Sequence, residues 1–204
     1  TAITPWSHQR ILDRKRNEKN QEITLQDIFG WNLEFSKTDL DPVLFSLLAK
    51  QQLLQVQDEQ YTSLVRVASL EGELFIHSSF PTTQQDAVFF GPDTYRFVYH
   101  LKQYLATEPR PFKRAAEICC GTSAAAISIA KYFPDHEEIF VADLNPKALL
   151  YSQLNIDFSG FASISPVQSN LFSNLEGQFD LIFANPPYLI DPEQRQYRHG
   201  GNEL

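Results

Sequence analysis

The sequence predicts an α/β protein in which a doubly wound parallel sheet follows a small α+β segment. From Ala115 onward, short apolar runs alternate with segments of helical periodicity, and the residues before it lack that alternation. Such alternation is typical of parallel strands joined by crossover helices. Hydrophobic residues make up 43% of the chain and charged residues 21%, as in ordinary globular proteins. We therefore predict an accessory domain over residues 1–86 and a sheet domain over residues 87–204.

The accessory domain is predicted to contain a helix and a β-hairpin. In DLDPVLFSLLAKQQLLQVQDEQ, residues 39–60, apolar residues recur at helical spacing. Asp41 is a suitable N-cap for that helix, and Pro42 is a suitable first residue. The following YTSLVRVASLEGELFIHSSF, residues 61–80, predicts two strands around a turn at Glu71–Gly72.

The stretch DAVFFGPDTYRFVYHLKQYLATEPRPF, residues 86–112, leads into the sheet. It predicts a short apolar strand, a Gly-Pro turn, and a helix capped by Asp93 or Thr94. The polar, proline-containing EPRPFKR, residues 108–114, predicts a connector between elements.

Four strands and two helices are predicted in the sheet itself. The second of these helices has Asn145 as its cap and Pro146 at its first position. The predicted elements are the strands AAEICC (115–120), EEIFVAD (137–143), ASISPVQ (162–168) and QFDLIFA (178–184) and the helices TSAAAISIAKYF (122–133) and NPKALLYSQLNIDF (145–158).

The charge of the chain is unevenly distributed. The formal net charge is −8, yet the first twenty residues are basic overall. An acidic body argues against a large phosphate-binding surface. The basic residues are interpreted as a solvated helix face, and contact with RNA is the alternative. These residues are Arg10, Arg14, Lys15, Arg16 and Lys19.

The remaining bulk features exclude several classes of protein. Cys119 and Cys120 are adjacent, so they cannot form a disulfide framework, and no His/Cys spacing completes a metal site. No run approaches the roughly eighteen apolar residues of a membrane span, and the N-terminal residues lack the apolar core of a secretory signal. We expect a cytoplasmic protein with no membrane contact and no metal.

Ligands of open parallel sheets bind beyond the carboxyl ends of the strands, so residues at those ends are the functional candidates. After Glu117 on the first strand, Gly121 permits close approach of a ligand to the backbone. Cys119 stands at the first glycine of the dinucleotide fingerprint, which is not met. Asp143 ends the second strand and is placed to accept hydrogen bonds from both hydroxyls of a ribose. The alternative is that Asp143 helps Asn145 to cap the next helix.

The third strand ends at Asn170. This side chain is placed to meet the edge of an adenine, with Leu171 or Phe172 against the face of the base. The alternative is that Asn170 only stabilises the turn after the strand.

The fourth strand ends in NPPY, residues 185–188. Prolines cannot donate to a ladder, so the strand must stop there. Asn185 supplies a side-chain carbonyl beside the backbone carbonyls of Pro186 and Pro187. Such acceptors suit the two hydrogens of a substrate –NH2, and Tyr188 offers a flat face for stacking a planar amide or base. The pattern predicts a reaction that depends on positioning an amine, and a purely structural turn is the alternative.

With all four strand ends considered, the chain from about Phe89 onward resembles the class I S-adenosylmethionine-dependent methyltransferases, which have a Rossmann-like sheet. Within that class it is similar to the NPPY, or methyltransferase small, group. This group includes release-factor glutamine methyltransferases, their ribosomal-protein relative and N6-adenine methyltransferases.

The resemblance implies S-adenosylmethionine as the cofactor, and it implies that GPDTYRF, residues 91–97, closes over that cofactor. It also implies that residues 1–86 form a substrate-recognition domain and that the tail DPEQRQYRHGG lines the substrate cleft. The implied cofactor-binding residues are Glu117, Cys119, Gly121, Asp143, Leu144, Asn170, Leu171, Asp93 and Thr94; the implied catalytic residues are Asn185, Pro186, Pro187 and Tyr188; and the tail candidates are Asp191, Tyr197, Arg198 and His199.

The complete sheet of this class contains further strands. Only the first four are present here, so we expect a sheet domain truncated at its C-terminus, with the fourth strand left as an open apolar edge.

The predicted function is N-methylation of a planar –NH2 group by S-adenosylmethionine. The acidic composition favours a glutamine side-chain amide of a translation factor or ribosomal protein. An adenine or guanine amine of RNA or DNA is the alternative, although Tyr188 argues against guanine. A non-catalytic binding module on the same fold is a further alternative. A nicotinamide dehydrogenase is disfavoured by the missing glycine fingerprint.

Overall fold

A computed structural model of the protein describes residues 5–17, 22–107 and 111–200, and these residues form five α-helices and eight strands. The N-terminal part also contains a π-helical turn at Gln26–Gly30 and a 3-10 turn at Lys37–Asp39. The helices and strands in chain order are α1 (Pro5–Asn17), α2 (Pro42–Lys50), β1 (Leu54–Gln57), β2 (Gln60–Ser63), β3 (Val65–Leu70), β4 (Glu73–Ser78), α3 (Pro92–Thr107), β5 (Arg114–Ile118), α4 (Ala124–Tyr132), β6 (Glu138–Asp143), α5 (Pro146–Ser159), β7 (Ile164–Gln168) and β8 (Leu181–Ala184).

The four C-terminal strands form one parallel sheet in the order β7-β6-β5-β8. β5 pairs with β6 on one side and with β8 on the other, so the strand order reverses beside β5. A reversal of this kind opens a crevice at the carboxyl ends of the strands. The predicted doubly wound α/β sheet and its four strands are confirmed.

Local sequence explains how the two crossover helices form. Helix α4 is buried at every position from Ala124 to Ala130, and its small side chains allow close packing against the sheet. Helix α5 begins as predicted, because the Oδ1 atom of Asn145 accepts a hydrogen bond from the Lys147 N–H at 2.9 Å. It ends at Gly160, whose φ of 79° is the left-handed conformation that favours glycine.

Strand β5 lies at the centre of the sheet and contributes to hydrophobic clusters on both faces. Ala115 belongs to the main core, whereas Ala116 and Ile118 belong to a second cluster. Because side chains alternate along a strand, Glu117 shares the face of Ala115. A carboxyl group is therefore placed on the buried side, where α4 packs.

The predicted helix over residues 39–60 is wrong in its second half. Helix α2 ends at Lys50, Gln52 adopts a left-handed φ of 56°, and Leu54–Gln57 forms strand β1. Strand β1 pairs with β2 through a turn at Asp58–Glu59, where both φ angles are positive. The spacing of the leucines could not distinguish a helix from an exposed strand. The strand forms because Leu54–Gln57 pairs with β2, which lies later in the chain and outside the local pattern.

The hairpin around Glu71–Gly72 is confirmed as β3 and β4, but Tyr61–Ser63 belongs to β2 and not to this hairpin. The expected strand at 87–90 is absent from the described structure, since this segment is irregular. Helix α3 begins at Pro92, so Asp93 and Thr94 lie in its first turn and neither is its cap. Proline is preorganised for the first helical position, which explains the earlier start.

The N-terminal part has its own small cluster around Ile28, Phe35 and Phe45. The β3–β4 hairpin, in contrast, contributes Leu70 and Phe75 to the main core of the sheet domain. The domain boundary at residue 86 stays a prediction.

Other sequence expectations concern the basic residues near the N-terminus and the connector. Arg10 and Arg14 are exposed, and Lys15 forms an ion pair with Asp27 at 3.0 Å. The side chains of Arg16 and Lys19, and residues 108–110 of the connector, lie outside the described residues.

Within the described ranges, no helix is long and apolar enough to cross a membrane, and no group of three or more His, Cys, Asp or Glu side chains could hold a metal.

A buried asparagine on α5 joins the hairpin to the sheet domain. The Oδ1 atom of Asn155 accepts from the Ile76 N–H at 2.8 Å, and its Nδ2 atom donates to the carbonyls of Ile76 and Thr122 at 3.3 and 3.1 Å. These three bonds connect β4, α5 and the loop before α4.

We predict that Asn155→Ala lowers the free energy of unfolding by about 2–3 kcal/mol, because it leaves backbone groups without partners. Urea denaturation measures this change. The matched control Gln153→Ala removes an exposed bond to Asp157 on the same helix and should change stability by less than about 0.5 kcal/mol. Equal effects of the two substitutions would contradict the anchoring role of Asn155.

Candidate active site

A pocket of about 480 Å³ lies at the carboxyl ends of β5, β6, β7 and β8; we call it the strand-end pocket. It is lined by residues from all four strand ends, from the start of α3 and from the tail after NPPY. Twelve of the thirteen predicted site residues line it: Asp93, Thr94, Glu117, Cys119, Gly121, Asp143, Leu144, Asn170, Leu171, Asn185, Pro186 and Pro187.

The loop from β5 to α4 has an unusual backbone. Cys119, Gly121 and Ser123 all have left-handed φ angles, between 55° and 57°. A Cβ atom built on Gly121 would meet nothing within 4 Å, so the backbone faces open space at this position. The loop therefore exposes main chain to the pocket, which is the property predicted for the glycine turn.

Two serines that sequence reasoning missed hold this loop in place. The Ser123 hydroxyl donates to the Ser152 hydroxyl at 2.7 Å, and the Ser152 hydroxyl donates to the Gly121 carbonyl at 3.1 Å. Nothing in the local pattern around Ser152, in the middle of α5, indicates this role. The contact exists because α5 packs beside the loop.

The carboxylate of Asp143 joins two loops. One oxygen accepts from the Gly121 N–H at 3.0 Å, and the other accepts from the Asn145 N–H at 2.9 Å. Asn145 in turn donates from Nδ2 to the Asp86 carbonyl at 2.8 Å. Asp143 thus supports the turn before α5, as the alternative proposed. Its remaining lone pairs still allow the predicted bonds to a ribose.

Burial perturbs the acids and thiols of the pocket. Burial, together with the nearby charge of Asp143, raises the pKa of Glu117 to about 8. One Glu117 oxygen accepts from the Ala126 N–H at 3.0 Å. Burial also raises the pKa of Asp143, and it raises the pKa of Cys119 to about 11. Cys119 is therefore a neutral thiol near pH 7 and a poor nucleophile.

The outer wall of the pocket is apolar. Leu144 and Leu171 are 60% and 58% exposed, although both are large hydrophobic residues. The Asn170 backbone N–H donates to the Ser173 hydroxyl at 3.1 Å, so the backbone of Asn170 forms a turn. Its side chain forms no hydrogen bond within the described chain and is exposed at the pocket. Apolar faces beside a free amide suit a flat heteroaromatic ring.

The NPPY motif is divided between two pockets. Asn185, Pro186 and Pro187 line the strand-end pocket, whereas Tyr188 is 70% exposed and lines an adjoining one. The side chain of Asn185 makes no hydrogen bond to the described part of the chain, so its amide is free for a ligand. A Cβ atom on Gly200 would lie 2.7 Å from the Pro187 carbonyl oxygen, so glycine permits the tail to approach the motif.

The tail candidates have different surroundings. Asp191 is 3% exposed, and the Arg195 guanidinium bonded to it lowers its pKa, so this carboxylate is structural. Tyr197 stacks on Phe89 at 5.3 Å and lines both pockets. His199 lines the strand-end pocket, and its Nδ1 atom accepts from the Asp191 N–H at 3.2 Å. Arg198 lines only the adjoining pocket.

Gln194 and Gln196 also line the strand-end pocket. The sequence did not predict them, because glutamines in a loop carry no sequence signal.

A family model described as "Methyltransferase small domain" matches residues 97–198, half of the chain. The chain therefore belongs to the methyltransferase small domain family. This membership confirms the predicted class of S-adenosylmethionine-dependent methyltransferases of the NPPY group.

Several curated proteins share part of this sequence. The ribosomal protein uL3 glutamine methyltransferase of Neisseria gonorrhoeae is 38% identical over 80 residues, which are 39% of this chain and 26% of that protein. The release factor glutamine methyltransferase of Borreliella burgdorferi is 33% identical over 85 residues, 40% of this chain and 28% of that protein. The release factor enzyme of Deinococcus radiodurans is 29% identical over 144 residues, 67% of this chain and 50% of that protein. The chain thus spans between a quarter and a half of these relatives.

Among solved structures, the tRNA m1G37 methyltransferase of M. jannaschii aligns with a TM-score of 0.49 at 15% identity. The alignment covers 68% of this chain and 41% of that one.

The cofactor of the family is S-adenosylmethionine, and the strand-end pocket fits it. A volume of about 480 Å³ lies within the usual range for small-molecule sites. The cofactor carries a sulfonium and an ammonium group, and Glu117 and Asp143 supply carboxyl groups to the pocket. Leu144 and Leu171 would offer apolar contact to the adenine of the cofactor.

We predict that the free energy of unfolding falls as pH rises, because Glu117 is protonated in the folded chain. The substitution Glu117→Gln, which mimics the neutral acid, should remove this contribution to the pH dependence. The folded-state pKa of about 8 lies above the ordinary value of 4.5, so the unfolded chain loses its proton first. As pH rises from 4.5 to 8, the free energy of unfolding of the wild type should fall by more than about 1 kcal/mol relative to that of the variant. Urea denaturation at several pH values measures the difference. A pH-independent difference would rule out a raised pKa.

Proposed function

We propose that the protein transfers a methyl group from S-adenosylmethionine to a planar –NH2 group, namely the side-chain amide of a glutamine in a translation component. The observation that carries the proposal is the position of Asn185, Pro186 and Pro187 in the same pocket as Glu117 and Asp143. An amine held by the first group lies beside a cofactor held by the second.

The choice of glutamine is supported by the relatives. The curated proteins described above are named as glutamine methyltransferases of ribosomal protein uL3 or of release factors. The net charge of −8 also disfavours an extended phosphate surface.

The residues of this chain act by positioning. The Asn185 side-chain oxygen and the Pro186 carbonyl accept the two hydrogens of the substrate –NH2, which aligns the nitrogen lone pair. Tyr188 stacks on the planar amide. When bound, S-adenosylmethionine supplies an electrophilic methyl group. The nitrogen would gain that methyl as the methyl–sulfur bond breaks, which leaves S-adenosylhomocysteine, and it would lose one proton to solvent, so no strong base is required.

The substrate class can be tested with methyl-labelled S-adenosylmethionine and a cell extract treated afterwards with nuclease or protease. We expect label that only protease removes, and amino-acid analysis should identify it as N-methylglutamine. Label that only nuclease removes would make the substrate a nucleic-acid amine. Absence of label, together with no binding of S-adenosylhomocysteine, would exclude the enzyme proposal for this chain.

We predict that Asn185→Ala lowers kcat about a hundredfold, because the acceptor nitrogen loses a positioning partner. Binding of S-adenosylhomocysteine, measured by calorimetry, should change less than about threefold, because Asn185 belongs to the acceptor side. Asn174→Ala is the matched control, since Asn174 lines neither pocket and its side-chain amide donates to the Gln168 carbonyl. Unchanged turnover in Asn185→Ala would refute the assigned role.

A further inference from the structure

The pocket beside the strand-end pocket has properties that the proposed reaction does not explain. It has a volume of about 460 Å³, and its lining includes Tyr188 and Leu189, which follow the prolines of NPPY. Phe89, Asp93 and Tyr197 line both pockets, so shared side chains are the boundary between them. A group bound here lies next to the place proposed for the methyl acceptor.

Four arginines line this second pocket, which we call the arginine pocket, although the chain as a whole carries a net charge of −8. Asp93 is the one carboxylate among the described lining residues. The arginines come from three parts of the fold: strand β3, helix α3 and the tail after NPPY. They are Arg66, Arg96, Arg195 and Arg198.

Two of these arginines have fixed partners. Arg195 is neutralised by Asp191, with its Nε atom 2.7 Å from a carboxylate oxygen. Arg66 donates from Nε and Nη2 to the Gly30 carbonyl at 3.1 and 2.6 Å. A carbonyl is a neutral acceptor, so it orients the Arg66 guanidinium without cancelling its charge.

The other two arginines are free to bind a ligand. Arg96 and Arg198 are exposed, and neither forms an ion pair within the described ranges. Together with Arg66, they leave positive charge in the pocket that Asp93 offsets only in part.

The histidines of the pocket add no charge. Burial, together with the nearby charge of Arg66, lowers the pKa of His77 to about 3 and also lowers the pKa of His8. Both rings are therefore neutral near pH 7. The positive charge of the pocket resides on guanidinium groups, which stay protonated at any physiological pH.

The walls around the arginines are aromatic. Phe80, Phe89 and Phe90 line the pocket, and Phe90 stacks against His77 at 5.4 Å. Aromatic walls pack the methylene groups of a short side chain, and a guanidinium fork binds a carboxylate through two hydrogen bonds. An aspartate or glutamate side chain matches both features.

A nucleic-acid strand matches them less well. Its phosphates are spaced along an extended chain and require several cationic contacts for tight binding. Here the cationic lining is confined to one pocket on an acidic protein, which suits a single carboxylate.

We propose that the arginine pocket binds an acidic side chain of the substrate polypeptide, near the glutamine that receives the methyl group. This inference rests on the proposed function and adds a rule of recognition, namely that the target glutamine has an acidic residue close to it. Tyr188 stands between the two subsites, because it belongs to NPPY and lines the arginine pocket.

The test measures peptide binding at low ionic strength in the presence of S-adenosylhomocysteine. Two capped alanine peptides carry a central glutamine; glutamates lie two positions to either side in one, and serines replace them in the other. The wild-type chain should bind the acidic peptide at least about tenfold more tightly, and added salt should reduce the preference. Equal affinity for the two peptides would overturn the proposal.

The double variant Arg96→Glu/Arg198→Glu should lose the preference, while Arg96→Lys/Arg198→Lys should keep most of it. Lys50→Glu is the matched control for charge, because exposed Lys50 lines neither pocket. Retained binding of S-adenosylhomocysteine shows that each variant is folded. A preference that survives the double charge reversal would also overturn the proposal.

A decamer of uridylate serves as the phosphate probe. If it binds the wild type more tightly than the acidic peptide and loses affinity in the double variant, the pocket binds phosphate and the peptide proposal is wrong. No step of this test uses catalysis. If the wild type prefers the acidic peptide but transfers no methyl group, the proposal for the arginine pocket therefore stands and the enzyme proposal is wrong.

Discussion

The strand-end pocket depends on the hydrogen bonds that the carboxylate of Asp143 accepts. This carboxylate accepts hydrogen bonds from the backbone N–H groups of Gly121 and Asn145, and so it ties the loop after β5 to the turn after β6. The first of these loops runs through left-handed residues and has no ladder of its own. Asn145 extends the connection to Asp86, ahead of α3. Asp143 and Asn145 together thus connect three segments of the pocket.

The two pockets differ in their ionisable groups. Burial raises the pKa values of Glu117 and Asp143, so a cationic ligand in the strand-end pocket would favour the ionised forms of these acids. The arginine pocket carries uncancelled guanidinium charge. If both proposals hold, a sulfonium donor in one pocket and an acidic side chain of the substrate in the other would attract each other across the shared wall. The presence of the donor would then strengthen recognition of the substrate.

The N-terminal half contributes to the site as well as to the fold. The β3–β4 hairpin supplies Phe75 to the main core and is bonded to α5 through Asn155. The same hairpin supplies Arg66 and His77 to the arginine pocket. The accessory segment therefore builds one wall of the cleft in which we place the substrate.

The sequence by itself determined the order and type of the strands and helices from Ala115 onward, the cap of α5 at Asn145, and twelve of the residues that line the strand-end pocket. These features follow from neighbouring residues, since strand ends in a parallel sheet meet at one edge. The sequence did not reveal that Leu54–Gln57 is a strand or that Ser152 supports the glycine turn. It also did not show that Arg66, Arg96 and Arg198 share a pocket. Only the tertiary structure decided these points, because each depends on contacts between segments far apart in the chain, and local periodicity carries no information about such contacts.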